Sequence, residues 1–217
     1  GRIASGPSGI DPLDIALQVA EATGLPLMCH IDQPPPSYEA VVDMLRPGDV
    51  LTHCFRPFPN SPLNGDGSVK DAVLAARARG VIFDIGHGQG SFAWDTARGM
   101  IAQGFPPDVI SSDIHQLNIN GPVYDQVTTL SKFLPLGMSL PEIIRASTEV
   151  PAKAVRRADL GTLHAGSTGD VSILSLRKGS FDLEDVSGEI VTVPERIFAE
   201  GCVIGGKWFQ QIGRKAA

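Results

Sequence analysis

LPLMCH (25–30), DVLTHCF (49–55), VIFDIG (81–86) and DVISSDI (108–114) decide the fold. Each is short and apolar almost throughout, and amphipathic stretches separate them: SYEAVVDMLR (37–46), VKDAVLAARARG (69–80) and SFAWDTARGMIAQG (91–104). DQVTTLSKFLPLG (125–137) and SLPEIIRASTEVPAKAVRR (139–157) continue the helical texture after the last of them. Upstream, Asp11 reads as the cap of a helix with Pro12 in its first position, and Gly24 as its stop. Strands without polar alternation, interleaved with amphipathic helices, specify a parallel sheet covered by helices. Four such strands are half of what a (β/α)8 barrel needs. The expectation is therefore an α/β fold in which residues 1–160 form the last four βα units of a TIM-type barrel.

Beyond residue 160 the texture changes. GTLHAGSTGDVSILSLRKG (161–179) and FDLEDVSGEIVTVPERIFAEGCVIGGKWF (181–209) are β-branched, punctuated by glycine and poor in helix formers. They read as a small antiparallel β unit over 161–217. Apolar and small polar residues alternate there, with a change of phase between Ile173 and Leu174 that calls for a bulge or a strand covered on both faces.

Composition narrows the function. Of 217 residues 42% are hydrophobic and 19% charged, which excludes intrinsic disorder. Eighteen basic against 24 acidic residues give a net charge of −6, which argues against a nucleic-acid binder. No apolar run reaches the roughly 20 residues of a membrane span, so no membrane partner is expected. Three cysteines do not make a disulfide framework and suggest a reducing, cytoplasmic setting. The opening GRIASGPSG has no Met, which suggests processing or the later part of something longer.

The chemistry collects where the strands finish. His30 ends the first, His53 lies near the end of the second, His87 follows the third, and Asp113 and His115 close the fourth. Parallel α/β folds place ligands and catalysis at these carboxyl ends. Imidazoles with a carboxylate are what a zinc-like divalent ion selects. Cys29-His30 and His53-Cys54 imitate a Cys/His zinc site, but adjacent strand residues point to opposite faces, so the thiols are assigned to packing. GHGQGS (86–91) could cradle a phosphate, or its glycines could serve a tight turn with positive φ. Asp84 reads as a buried structural carboxylate and His164 as a turn residue.

GLPLMCHI, GDVLTHCF, GVIFDIGHGQGSF and DVISSDIH, followed by LGTLHAGSTGDVSIL, resemble the amidohydrolase superfamily, and within it the dihydroorotase-like amidohydrolase/deacetylase metallohydrolases. The resemblance implies a distorted (β/α)8 barrel with one or two divalent metals, commonly zinc, and a small β-sandwich built from both chain ends. It makes His30 and His53 metal ligands and Asp113 a ligand and the proton shuttle. It also implies a carboxylated Lys, expected upstream of Gly1, and a His-x-His pair that this sequence lacks. An N-terminal half of the same enzyme and a homo-oligomer are the implied partners, with a small molecule as substrate. The implied reaction is hydrolysis of a cyclic amide, an N-acyl or an O-acyl substrate by a metal-activated hydroxide. His87, His115, Arg56 and Asn118 are weaker candidates for holding the substrate. Two other readings stay open: a non-catalytic barrel binding protein with an incomplete metal centre, and a nucleotide site at the glycine-rich turn.

Overall fold

The computed structural model describes residues 8–210. Its first half is a parallel sheet with helices packed against it. Strands β1 (Met28–His30), β2 (Val50–Thr52) and β3 (Ile82–Phe83) lie in that order, with Met28 opposite Val50 and Val50 opposite Ile82. The segment 108–114 forms no full strand ladder. It pairs with β3 through an isolated parallel bridge, Asp84 to Val109, and continues alongside through His87 N to Ser111 O and Gly88 N to Ser112 O, both 3.1 Å. Four extended segments thus run side by side with their carboxyl ends on one rim.

The helices are α1 (Asp11–Thr23), α2 (Tyr38–Met44), α3 (Asp71–Arg79), α4 (Trp94–Ala102), α5 (Gln126–Ser131), α6 (Leu140–Ser147) and α7 (Glu149–Ala154). Gly24 ends α1 in the left-handed region at φ 67, as a glycine following a helix commonly does. The start of α1 differs from expectation. Asp11 is already helical, Ile10 occupies the cap without a side-chain bond, and Pro12 sits one position further in. Asp11 still faces the positive end of the helix dipole, so its charge is favourable there without a cap. The stretch 139–157 also divides, at Thr148 with φ −131 and ψ −78. Pro151 lacks an N–H and its ring would collide with the carbonyl four residues earlier, which prevents one continuous helix.

The core between sheet and helices includes Tyr38, Val42, Leu51, Phe55, Phe83, Ile85, Phe92 and Phe133. It is open on one side: Ile15 and Val19 of α1 are 61% and 58% exposed, and Met28 on β1 is 59% exposed. Among the described residues no helix is long and apolar enough to cross a membrane.

The tail is a three-stranded antiparallel sheet, β4 (Val171–Glu184), β5 (Ile190–Ile204) and β6 (Lys207–Gln210). Its register shifts between Ile173 and Leu174, the step where the sequence alternation changes phase, and again between Lys178 and Phe181. The turn end of the hairpin docks on the parallel α/β part. Leu183, Val193 and Ile197 join the main core, and Trp94 Nε1 donates to Leu183 O at 3.2 Å. The far end does not dock: Ile204, Trp208 and Phe209 are each at least half exposed.

Candidate active site

β1 and β2 end side by side, and this brings His30 and His53 together. His53 Nε2 lies 2.6 Å from His30 Nδ1, and the rings meet edge to face with centroids 4.3 Å apart. His53 Nδ1 donates to Gly86 O at 2.5 Å, which leaves Nε2 with its lone pair directed at His30. His53 is buried, and its backbone stands at φ 68. A non-glycine residue in that region costs on the order of 1–3 kcal/mol and persists where surrounding structure enforces it. Burial is the main cause that lowers both imidazole pKa values, and the neighbouring His53 helps bring His30 to about 4. Both rings are therefore neutral at pH 7, the state in which imidazole binds a metal.

Asp113 stands on the other side of the glycine turn, also in the left-handed region at φ 46. The turn is built around these neighbours. A Cβ on Gly88 (φ 53) would lie 2.7 Å from Asp113 Oδ2, and one on Gly86 (φ 43) would lie 2.1 Å from Thr52 Oγ1 and 3.0 Å from His53 Nδ1. These glycines are explained by positive φ and close approach, without a phosphate. Asp113 is near enough for its charge to favour protonated His53. Among the described residues, however, no three His, Cys, Asp or Glu side chains close on one point. The donor set fits a divalent ion as two converging imidazoles with a carboxylate nearby, and a full coordination sphere needs further donors.

The remaining candidates are less available to a substrate. His87 is fully buried, with Nδ1 3.0 Å from Gly88 O and Nε2 2.6 Å from Lys132 Nζ. Burial foremost, then the Lys132 charge, brings its pKa to about 3. Arg56 is 4% exposed; it donates to Ile31 O at 2.7 Å and pairs with Asp32 Oδ1 at 3.0 Å, bracing the loop after β1. Asn118 is an internal brace, accepting from His115 N at 2.8 Å and donating to Asp113 O at 2.9 Å. His115 alone of these four is exposed, with Nδ1 accepting from Leu117 N at 3.2 Å.

Four other residues complete the surroundings. Asp84 is buried, takes both the Thr52 and Ser111 hydroxyls on Oδ2 at 2.6 and 2.8 Å, and leaves Oδ1 unpartnered. Burial raises its pKa. Cys29 and Cys54 are free thiols in the packing layer, and burial raises Cys29 to about 11. Lys132, which the sequence did not single out, is wholly buried beside His87, and burial brings it down to about 7. A largely apolar cavity of about 200 Å³ lies between α1 and β1, lined in part by Leu13, Met28, Cys29 and His30. Asp113 is not among its lining residues.

No family model matches the chain. It is 37% identical over 209 residues to a deacetylase of Enterococcus faecalis, covering 95% of this chain and 57% of that protein. A deacetylase of Agrobacterium fabrum is 31% identical over 206 residues, at 95% and 51% coverage. The crystal structure of an adenine deaminase superposes with a TM-score of 0.92 at 36% identity, and that of a dihydroorotase with 0.86 at 30%. These alignments cover 95% and 97% of this chain, and 57% and 55% of the solved ones. The chain thus spans little more than half the length of the relatives it matches. Relatives named deacetylase, with an adenine deaminase and a dihydroorotase as structural neighbours, bear out the resemblance to the amidohydrolase superfamily that the strand-end motifs carry.

Proposed function

We propose that this chain contributes to the active site of a metal-dependent hydrolase that cleaves an amide C–N bond, with acyl-bearing small molecules as substrates. The observation that carries this reading is the His30–His53 pair, with its ring nitrogens 2.6 Å apart at adjacent strand ends. Relatives named deacetylase, adenine deaminase and dihydroorotase support the bond type. His30 and His53 hold the ion, with zinc the expected metal and one or two ions per site. When bound, such an ion supplies a Lewis acid that acidifies water and polarises a carbonyl. His53 meets this role with a fixed tautomer, because Gly86 O takes its Nδ1 proton. Asp113 accepts a proton from the attacking water and returns it to the leaving nitrogen, as base and then acid. Asn118 steadies Asp113 through its backbone carbonyl, and exposed His115 is the rim residue left to meet a substrate.

The remaining ligands, including a carboxylated Lys, come in this reading from a preceding half of the polypeptide. The greater length of the relatives and the open apolar face of α1 support that arrangement. The same half would lay strands over exposed Ile204, Trp208 and Phe209 and complete a β-sandwich. The protein is assigned to the cytoplasm, where free thiols are maintained.

The test is zinc content and hydrolysis of N-acetyl substrates by the full-length protein and its His30→Ala and His53→Ala variants. The expected result is one or two equivalents of zinc in the parent, with loss of zinc and turnover in both variants. A parent without metal that binds small molecules unchanged would instead establish the non-catalytic reading.

A further inference from the structure

Lys132 follows α5 with none of its surface exposed. Buried lysines are rare unless paired, yet no carboxylate contacts this one within ion-pair distance among the described pairs. Its Nζ instead meets three neutral acceptors: His87 Nε2 at 2.6 Å, Pro122 O at 3.1 Å and Glu184 O at 2.5 Å. An ammonium has three protons, so each has a destination. We propose that Lys132 is a positioning residue whose ammonium pins His87, and through it the turn 86–88 that separates His53 from Asp113, to the end of tail strand β4.

The argument follows the bonds outward. An ammonium only donates, so His87 Nε2 must accept, and the imidazole proton is placed on Nδ1, within 3.0 Å of Gly88 O. The ring stacks on Phe92 at 5.0 Å with planes 20° apart, which removes its freedom to swing away. His87 is thereby fixed at the middle of the turn. On one side of it Gly86 O takes the Nδ1 proton of His53; on the other, a Cβ on Gly88 (φ 53) would stand 2.7 Å from Asp113 Oδ2. On the tail side, the bond to Glu184 O is flanked by two more ties. Trp94 N donates to Asp185 Oδ2 at 2.9 Å, and Trp94 Nε1 reaches Leu183 O. The β4–β5 turn is therefore fastened to the loop that orients the proposed ligand and the proposed base. Removing the ammonium would leave one imidazole nitrogen and two carbonyls without these donors and free the turn to shift.

This inference rests on His53 as a ligand, so its test reads His53 separately from metal binding. In the full-length protein, imidazole ¹⁵N spectra of Lys132→Met are compared with the parent and with Arg196→Ala. The latter cuts another tail contact, Arg196 Nη2 to Thr128 Oγ1 at 2.8 Å, away from the turn. Lys132→Met should move both His87 and His53 resonances and weaken zinc roughly 10–100-fold, the usual cost of losing an outer-shell partner. Arg196→Ala should leave the spectra and zinc affinity as they are. Unchanged His53 resonances in Lys132→Met would overturn the inference, whereas a zinc-free parent with altered His53 resonances would overturn only the metal reading. If Lys132→Met does not fold, Lys132→Gln, which keeps an N–H donor, is read in the same way. Failure of both to fold, or equal effects in Arg196→Ala, would assign Lys132 to stability alone and overturn the proposal.

Discussion

His53 and His87 occupy neighbouring strand ends, are both buried, and are both held neutral, yet their nitrogens have opposite fates. His53 gives one proton to Gly86 O and aims its remaining lone pair at another imidazole. His87 has one nitrogen near Gly88 O and the other against an ammonium, so neither is open to a ligand. Burial alone does not distinguish the pair. What distinguishes them is the partner on the second nitrogen: a cation cannot share its position with a metal, whereas a second neutral imidazole can contribute to the same ion. Two histidines that look equivalent in the sequence therefore take a ligand role and a supporting role in the proposed reading.

The largest expected effect tests the base on the His53 side of this contrast. Asp113→Asn keeps nearly the same shape and an oxygen for coordination, but cannot take and return a proton at neutral pH. Turnover should fall about 10²–10⁴-fold with zinc retained, checked by measuring kcat and metal content on the same samples. Full turnover would remove Asp113 from the proton path. Loss of zinc together with turnover would make it a ligand first.

A smaller effect tests the turn between the two histidines. Gly86→Ala places a methyl against Thr52 Oγ1 and His53 in a left-handed backbone, which together should cost about 2–5 kcal/mol of stability. Gly90→Ala, whose Cβ would meet nothing within 4 Å, should change stability by no more than about 0.5 kcal/mol. Denaturant unfolding of the two variants checks this. Equal midpoints would mean that the turn is not under the close constraint described.

The sheet was legible because four apolar runs with amphipathic stretches between them have few other solutions, and the Ile173–Leu174 bulge because a period of two cannot change phase silently. The strand-end histidines were legible as a group for the same topological reason. Their differing partners were not. Arg56 looked like a loop arginine available to a substrate because Asp32 and Ile31, which hold it, lie 24 and 25 residues away in sequence. Lys132 gave no signal in the sequence because the groups that meet its Nζ, His87 Nε2, Pro122 O and Glu184 O, lie 45, 10 and 52 residues away. Asn118 showed its polar character but not that both ends of its amide are used locally. Local pattern gives the strand ends; the partners met on folding decide what each side chain there is free to do.

The smallest effect separates the two histidines by acid. An unfolded imidazole takes a proton near pH 6.5, whereas folded His87 resists until about 3 and His30 until about 4. Between those limits the unfolded chain binds more protons than the folded one, so stability falls as pH falls and is recovered above about 6.5. For His87, enclosed on all sides, the loss between pH 7 and pH 5 should be about 2 kcal/mol. His30 lies at the exposed edge of β1, where solvent screens its shift, and its share should be smaller. Urea unfolding at a series of pH values measures the slope in the parent, His87→Gln and His30→Gln. The slope should flatten most in His87→Gln and persist in His30→Gln. The reverse order would show that His30, rather than the enclosed His87–Lys132 contact, resists the proton, and would undo the contrast between the two strand ends.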